Sequence, residues 1–384
     1  MFEPNETALL PEGLHDNLVG DAMRETKVVE QLISSFSSHG YDLILPPLVE
    51  FEESLLRGPG KAHSRNMFRL LDPASQRMMG VRTDMTGQVA RISHTRLGNA
   101  PRPLRLSYAG DVLRIKGTQL RPERQFKQAG VELIGSNATE AYVEIILLGF
   151  EALKRVGARN LSVDLTIPLL VPAICDGLGI DKKMSERVRR ALNAKDIGEL
   201  ATVEGNIGEI SRSLLAASGE ADKSLEIING LELPVEAAEM CVELTKLVNR
   251  LSDIAPDLML TIDPGEYTGF EYQTGISFSL FAGGVRGELG RGGRYLVNSE
   301  IGDGEPATGF SLYLDSLMRA LGEGEVEKKI FIPYGSDQTM IKEIQTKKYR
   351  TILGLEYVPD VEAEALRLEC ELVWLDGQIK EITG

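Results

Sequence analysis

The residues most able to do chemistry fall in three short motifs. These motifs are RTDMT (82–86), GDVLR (110–114) and RPERQFKQAGVELIG (121–135). The candidate binding residues within them are Asp84, Thr86, Arg114, Gln128 and Glu132. A carboxylate such as Asp84 is the expected partner of an ammonium group. Gln128 can donate or accept a hydrogen bond, and Glu132 can accept one from a nitrogen donor.

Purely structural roles are open for the same residues. Arg114, Gln128 and Glu132 could form an internal network of ionic and hydrogen bonds. Asp84 and Thr86 could cap a helix expected over 86–96, because both residue types favour the N-cap position. Residue type and spacing leave both interpretations standing.

Other kinds of chemistry have weaker support. The glycines at 290, 292 and 293 are expected to permit tight backbone geometry rather than to cradle a phosphate. The histidines are scattered without ligand spacing, so we expect no metal and no cofactor; they are His15, His39, His63 and His94. Cys175, Cys241 and Cys370 are far apart, which favours a reducing compartment without disulfides.

Charge and hydropathy restrict the partners. The formal net charge is −15, which argues against a large polynucleotide footprint, although the span 91–127 is locally basic. We therefore do not expect tRNA as a main partner. No apolar run is long enough for a membrane helix, and the first residues do not resemble a signal peptide. These features predict a cytoplasmic protein without a membrane partner.

Periodicity places the motifs on alternating helices and strands. Apolar spacing predicts helices over 20–39 and 138–156, with a strand at 161–167. The segment YDLILPPLVEF (41–51) is expected to be a strand that runs into Pro46–Pro47, which suits an edge or an interface. Strands are further expected at 105–115, 130–134, 258–263 and 275–281. Residues 168–258 carry mainly helical spacing, which predicts a helical insertion.

The order of these motifs resembles the catalytic domain of histidyl-tRNA synthetase from about residue 8 to 322. PEGLHD (11–16) and LPPLVEFEESL (45–55) are similar to the first class II motif, which forms a homodimer interface in that family. GRGGRY (290–295) and PATGFSLYLDSL (306–317) are similar to its last strands. The resemblance implies an α+β fold with an antiparallel sheet flanked by helices. The implied domains are a catalytic-fold domain (1–167 and 259–322), a helical insertion (168–258) and a short α/β appendage (323–384).

The resemblance also implies a histidine-binding site. In the family, Asp84 and Thr86 would hold the amino group of histidine, and Gln128 and Glu132 would recognise the bound amino acid. Tyr295 would close the imidazole pocket. Arg114 would contact the carboxylate and the α-phosphate.

Three positions depart from the catalytic pattern of the synthetases. Thr268 stands where the family has an arginine that neutralises the charge developing during adenylation, and Ser316 stands where it has an arginine that clamps ATP. Gln273 replaces a tyrosine of the histidine pocket. Losing one preorganised charge costs about 10²–10³-fold in rate, so losing two predicts a noncatalytic chain. About 55 residues follow residue 329, fewer than an anticodon-binding domain requires.

Within this group the chain most resembles the regulatory subunits of ATP phosphoribosyltransferase. The resemblance implies that it is required by a short-form catalytic subunit in the first step of histidine biosynthesis, with L-histidine as feedback inhibitor. It also implies a homodimer inside a hetero-octamer with four subunits of each kind. Two alternatives remain, a divergent histidyl-tRNA synthetase and a synthetase-like protein that binds tRNA or another amino acid.

Overall fold

The computed structural model describes residues 10–267, 269, 272–297, 304–322, 327–347 and 349–382. Contacts divide the chain into two compact units, 1–322 and 323–384. Neither unit contains, within the part described, a helix that is both long and apolar enough to span a membrane.

The first unit is built on a nine-stranded sheet and a small three-stranded sheet. Its strands are β1 (Asp42–Leu43), β2 (Val49–Phe51), β3 (Arg69–Leu71), β4 (Met78–Val81), β5 (Leu104–Leu113), β6 (Gln125–Ile134), β7 (Leu161–Thr166), β8 (Gly219–Glu220), β9 (Met259–Ile262), β10 (Gln273–Ala282), β11 (Gly290–Val297) and β12 (Glu305–Tyr313). The large sheet has the order β1-β5-β6-β12-β11-β10-β7-β9-β8. Its pairs are antiparallel except β1–β5 and β7–β9.

Helices pack on both faces of this sheet. They are α1 (Asp21–Ser38), α2 (Glu52–Leu55), α3 (Thr86–Thr95), α4 (Thr139–Arg155), α5 (Leu170–Gly177), α6 (Lys182–Asn193), α7 (Ile197–Ala201), α8 (Gly205–Ala216), α9 (Ala221–Asn229), α10 (Val235–Ile254) and α11 (Leu314–Leu321), with a 3-10 helix at Gly58–Asn66. Leu32 and Phe36 of α1 and Ile145 of α4 are fully buried against the sheet. Burial of such side chains is worth about 1.5–3 kcal/mol each, and this fixes α1 and α4 on one face. Val89 of α3 belongs to a separate core cluster with Tyr108 and Tyr295 on the opposite face.

The double proline divides the segment that the sequence analysis treats as one strand. Asp42–Leu43 pairs with β5 in the large sheet, whereas Val49–Phe51 pairs with β4 in the small sheet. Proline has no backbone N–H to donate to a ladder, so pairing cannot continue through Pro46 and Pro47. The single-strand prediction for 41–51 is therefore wrong.

The helices α5 to α10 follow β7 and precede β9, and their apolar side chains join the same core as the large sheet. The sequence prediction that 168–258 is mainly helical is confirmed, apart from the two-residue strand β8. The division of the chain into three domains stays a prediction.

The second unit contains a four-stranded sheet of order β14-β13-β15-β16 and two helices. These elements are β13 (Lys329–Ile332), α12 (Gln338–Thr346), β14 (Arg350–Leu353), α13 (Val361–Arg367), β15 (Leu372–Leu375) and β16 (Gln378–Glu381). Ile330, Ile332, Ile341 and Leu372 form part of its own core, so this unit buries apolar surface independently of the large sheet.

Candidate functional site

Asp84 connects the start of α3 to strand β6. Its Oδ1 accepts a hydrogen bond from the Thr86 amide at 2.8 Å, and its Oδ2 accepts one from Nε2 of Gln128 at 2.6 Å. Gln128 also accepts a bond from the Met85 amide at 2.9 Å. Asp84 thus satisfies an N–H of the first helical turn, as the capping interpretation requires. Thr86 is the first helical residue and not the cap, because Met85 occupies the N-cap position.

Glu132 is the most deeply buried carboxyl of the candidate site, with 1% of its surface exposed. Oε1 accepts a bond from the hydroxyl of Tyr108 at 3.2 Å, and Oε2 accepts one from the hydroxyl of Tyr295 at 3.0 Å. Burial raises the pKa of Glu132 to about 8, although both tyrosine hydroxyls favour the ionised form. In most molecules the Glu132 carboxyl therefore carries a proton at neutral pH.

The strand register explains why Glu132 lies in a pocket. Paired residues on neighbouring strands project to the same face of a sheet, and Glu132 of β6 is opposite Gly309 of β12. A Cβ atom at Gly309 would lie 2.0 Å from Oε2 of Glu132. Gly130 similarly leaves space for the Tyr108 hydroxyl, since a Cβ there would lie 2.5 Å from it. Glycine on two neighbouring strands therefore provides the room for the carboxyl and its tyrosines.

The glycines of GRGGRY have the role that the sequence predicts. Added Cβ atoms at Gly290 and Gly292 would each lie 2.4 Å from a backbone oxygen of β12. Gly293 has a φ of +155°, and a Cβ there would lie 2.7 Å from Oγ of Ser277. Close backbone packing is thus confirmed as the reason for glycine at these positions.

Arg114 lies outside the network of Asp84, Gln128 and Glu132. Its guanidinium carbon is 4.4 Å from the centroid of the Phe126 ring. Its Nε and Nη2 atoms are buried and have no hydrogen-bond partner in the described part of the chain. Burial, followed by repulsion from Arg121, lowers the pKa of Arg114. Two unsatisfied N–H groups on a cation are suited to an anionic ligand such as a carboxylate.

Of the three positions that depart from the catalytic pattern of the synthetases, the structure describes Gln273 and Ser316. Gln273 is 5% exposed and is paired with Tyr295 at the start of β10, and its Oε1 has no hydrogen-bond partner among the residues described. Ser316 is fully buried, and its hydroxyl accepts a bond from Nη2 of Arg319 at 3.1 Å. Thr268 lies outside the described residues.

Two aromatic residues of the pocket, Tyr108 and Tyr272, are not predicted from the sequence. Tyr108 bonds to Glu132, and Tyr272 packs edge-on against Tyr295 with ring centroids 5.7 Å apart. Tyr108 faces the pocket because β5 pairs it with Gly130. The available signal was the alternation along β6, where a glycine lies between Gln128 and Glu132 and leaves a gap for a neighbouring side chain.

Arg294 supports the strand that carries Tyr295. It is 6% exposed and donates bonds to the backbone oxygen of Ala138 at 2.7 Å and to Oε1 of Glu243 at 3.1 Å. Its guanidinium carbon is 4.0 Å from the centroid of the Tyr142 ring. These contacts join β11 to α4 and to α10, on the face of the sheet opposite to the Tyr295 side chain.

We expect Glu243→Gln to lower the free energy of unfolding by about 1–2 kcal/mol, because a partly buried charge-assisted hydrogen bond is lost. Urea denaturation at pH 7 measures the effect. Glu239→Gln is the matched control, since Glu239 is on the same helix and exposed. Equal stabilities for the two variants would contradict a supporting role for Glu243.

Several basic side chains of the span 91–127 are paired with carboxylates of the same chain. Its ion pairs include Arg91–Glu50, Arg102–Glu305, Arg105–Glu144, Arg121–Asp315 and Lys127–Glu25. Paired side chains contribute less net positive charge to a surface than free ones. The cluster of basic residues in the sequence thus corresponds largely to internal electrostatic contacts.

Comparison with known proteins shows which proteins the chain resembles. The family model described as histidyl-tRNA synthetase matches residues 13–317. The ATP phosphoribosyltransferase regulatory subunit of Rhodospirillum centenum is 49% identical over 375 residues, which cover 98% of this chain and 96% of that protein. A Bacillus halodurans structure, described as an ATP phosphoribosyltransferase regulatory subunit/histidyl-tRNA synthetase, is 26% identical with a TM-score of 0.81 and covers 95% of this chain and 97% of its own.

A structure of the ATP phosphoribosyl transferase complex from Thermotoga maritima contains a chain of similar fold. It is 19% identical with a TM-score of 0.58, and the match covers 76% of this chain and 97% of that one. At this identity the likeness shows the fold alone.

The fold and the pocket define a protein of the histidyl-tRNA synthetase-like class, with the expected α+β class II architecture. More particularly, the chain belongs to the family of ATP phosphoribosyltransferase regulatory subunits. The predictions of this family and of a regulatory, noncatalytic role are thereby confirmed.

Proposed function

We propose that this chain is the histidine-sensing partner of a short-form ATP phosphoribosyltransferase catalytic subunit in the cytoplasm. In this assembly the catalytic subunit requires the chain for activity, and L-histidine bound to the chain inhibits the complex. The observation that carries the proposal is the row formed by the half-buried Asp84 and the buried Gln128 and Glu132, in a chain similar over its length to regulatory subunits.

The chemistry of the row suits histidine. One carboxylate, Asp84, is ready to accept bonds from the ammonium group, and the unsatisfied guanidinium of Arg114 can receive the carboxylate. Glu132 lies at the other end of the row, where it can bond to the imidazole by sharing or replacing a tyrosine hydroxyl. Feedback then follows from differential affinity, with a typical coupling of about 1–3 kcal/mol between histidine and the inhibited arrangement.

An exposed apolar surface supports self-association. Leu43, Leu45 and Leu48 are 43%, 74% and 46% exposed around the double proline, and they adjoin a groove of about 770 Å³ lined partly by Pro46 and Pro47. Exposed apolar patches of this kind mark protein interfaces. We propose that a second copy covers this surface and that two such dimers enter a hetero-octamer. tRNA has no part in this proposal, because several basic side chains of the span 91–127 are already paired with carboxylates of the chain.

Reconstitution tests the proposal. We expect that mixing the chain with a short-form catalytic subunit from the same organism starts or raises phosphoribosyl-ATP formation, and that added L-histidine abolishes the gain. Light scattering on the same mixture gives the subunit count. The matched control adds histidinol, which lacks the carboxylate for Arg114 and should inhibit far less. No complex and no change in rate would contradict the proposal, and histidine-dependent pyrophosphate exchange would then test the synthetase alternative.

A further inference from the structure

The two ends of the pocket differ in the size of the side chains that β12 contributes. Along β12, the residues facing the pocket are Gly309 opposite Glu132, Ser311 opposite Gly130, and Tyr313 opposite Gln128. From Gly309 to Tyr313, the side chains that face the pocket therefore increase in size, from no side chain to a hydroxymethyl group to a phenol ring. The carboxyl of Glu132 fills the space at Gly309, whereas the position beside Gln128 is occupied by an aromatic side chain.

The Tyr313 ring is fixed by its neighbours. The guanidinium carbon of Arg121 is 3.6 Å from the centroid of the Tyr313 ring, and Phe126 packs edge-on against it at 6.1 Å. Arg121 in turn donates two bonds to the carboxylate of Asp315, at 3.0 and 3.2 Å. The side chains of this pair are only 6% and 3% exposed. A bidentate, buried pair of this kind holds its geometry tightly.

The cluster around Tyr313 adjoins Arg114, which is the group proposed to bind the ligand carboxylate. Arg114 and Arg121 both pack on the Phe126 ring, at 4.4 and 4.6 Å from its centroid. The two guanidinium groups are close enough for Arg121 to lower the pKa of Arg114. Arg114 retains two buried N–H groups without a partner in the described chain, whereas Arg121 is bound to Asp315. Arg114 thus retains donors for a ligand carboxylate, while the cluster of Tyr313, Arg121 and Asp315 occupies the space for any extension.

Resting on the proposed function, we infer that Tyr313, held by Arg121 and Asp315, restricts this pocket to an amino acid with a free α-carboxylate. Ligands extended at that carboxylate, such as an aminoacyl-adenylate or an amino-acid ester, are excluded by the Tyr313 ring. This exclusion acts in addition to the loss of the ATP-binding arginines. The pocket is then a sensor of the free amino acid and is insensitive to its activated forms.

Isothermal titration of the full chain tests the inference with two probes. These are L-histidine and a non-hydrolysable analogue in which a sulfamoyl group joins the histidine carboxyl carbon to adenosine. We expect the analogue to bind the wild-type chain at least about 100-fold more weakly than histidine, since a pocket of fixed shape rejects a larger group by steric exclusion. Analogue binding within about threefold of histidine would overturn the inference.

Variants of Tyr313 separate steric exclusion from other causes. Tyr313→Ala should raise affinity for the analogue at least about tenfold, whereas Tyr313→Phe, which keeps the ring, should leave it unchanged. Tyr313→Val, with a β-branched side chain suited to a strand, replaces Tyr313→Ala if circular dichroism shows unfolding. A folded small-residue variant without gain for the analogue would overturn the inference. If the wild-type chain binds no histidine, the proposed function fails, while a gain of analogue binding in Tyr313→Ala would still support the exclusion by Tyr313.

Discussion

Glu132→Gln is expected to weaken histidine binding about 10–100-fold and to raise the histidine concentration for half-inhibition of the complex in proportion. Glu132 is the buried carboxyl of the pocket, and a hydrogen bond to a charged group contributes about 1.5–3 kcal/mol. Glutamine keeps the size of the side chain but has no proton to pass to the imidazole, so it cannot form the carboxylate–imidazolium pair that protonated Glu132 can form on binding. Titration calorimetry on the chain and inhibition assays on the reconstituted complex measure the two effects.

Measuring whether the complex still assembles distinguishes a defect in histidine sensing from a defect in folding. Light scattering should give the same complex for Glu132→Gln and the wild type. Glu132→Ala should also lose inhibition, although it leaves the hydroxyls of Tyr108 and Tyr295 without their partner. The control is Glu144→Gln, because Glu144 accepts a bond from Tyr41 at 2.8 Å but lies outside the pocket. Unchanged inhibition in Glu132→Gln would exclude this pocket as the sensor and favour the subunit interface.

The second large effect concerns stability as a function of pH. Burial raises the pKa of Glu132 from 4.5 to about 8 in the folded chain. Between these values the folded state binds more protons than the unfolded state, so the free energy of unfolding decreases as pH rises. The stability attributable to this proton is complete below about pH 4.5 and is lost as pH passes through about 8.

Glu132→Gln should remove this dependence. From pH 6 to pH 9 the wild type should lose about 2–3 kcal/mol more of its free energy of unfolding than the variant does. The reason is that only the folded wild type holds the Glu132 proton over roughly two pH units of that range. Urea denaturation of both proteins at the two pH values measures the difference. Parallel behaviour of wild type and variant would show that Glu132 is not protonated in the folded chain.

Glu144→Gln is again the control, with the opposite sign of shift. The hydrogen bond from Arg105 lowers the pKa of Glu144 below its usual value of 4.5. Its contribution is present above that value and is lost only as pH falls below it. Glu144→Gln should therefore show the same difference from the wild type at pH 6 and at pH 9.

Local sequence was sufficient for the elements that depend on nearby residues. The helix expected over 138–156 is α4, and the strand expected over 161–167 is β7, because apolar periodicity reports the face that each element buries. The glycines of GRGGRY were interpreted correctly because tight backbone packing is a property of glycine itself. The family could be predicted from the sequence for a related reason, because each of its short motifs is a continuous stretch of residues.

Contacts between distant segments were decided only by the folded chain. The sequence placed Arg114 with Gln128 and Glu132, but the structure separates its guanidinium from their network and stacks it on Phe126. Tyr108 reaches Glu132 only because β5 and β6 pair in one particular register, and Tyr313 fills its end of the pocket through the register of β6 with β12. Residue types and their order therefore determined which groups are available for binding. Strand register and burial, which join residues nearly 200 positions apart, determined which groups meet and raised the pKa of Glu132.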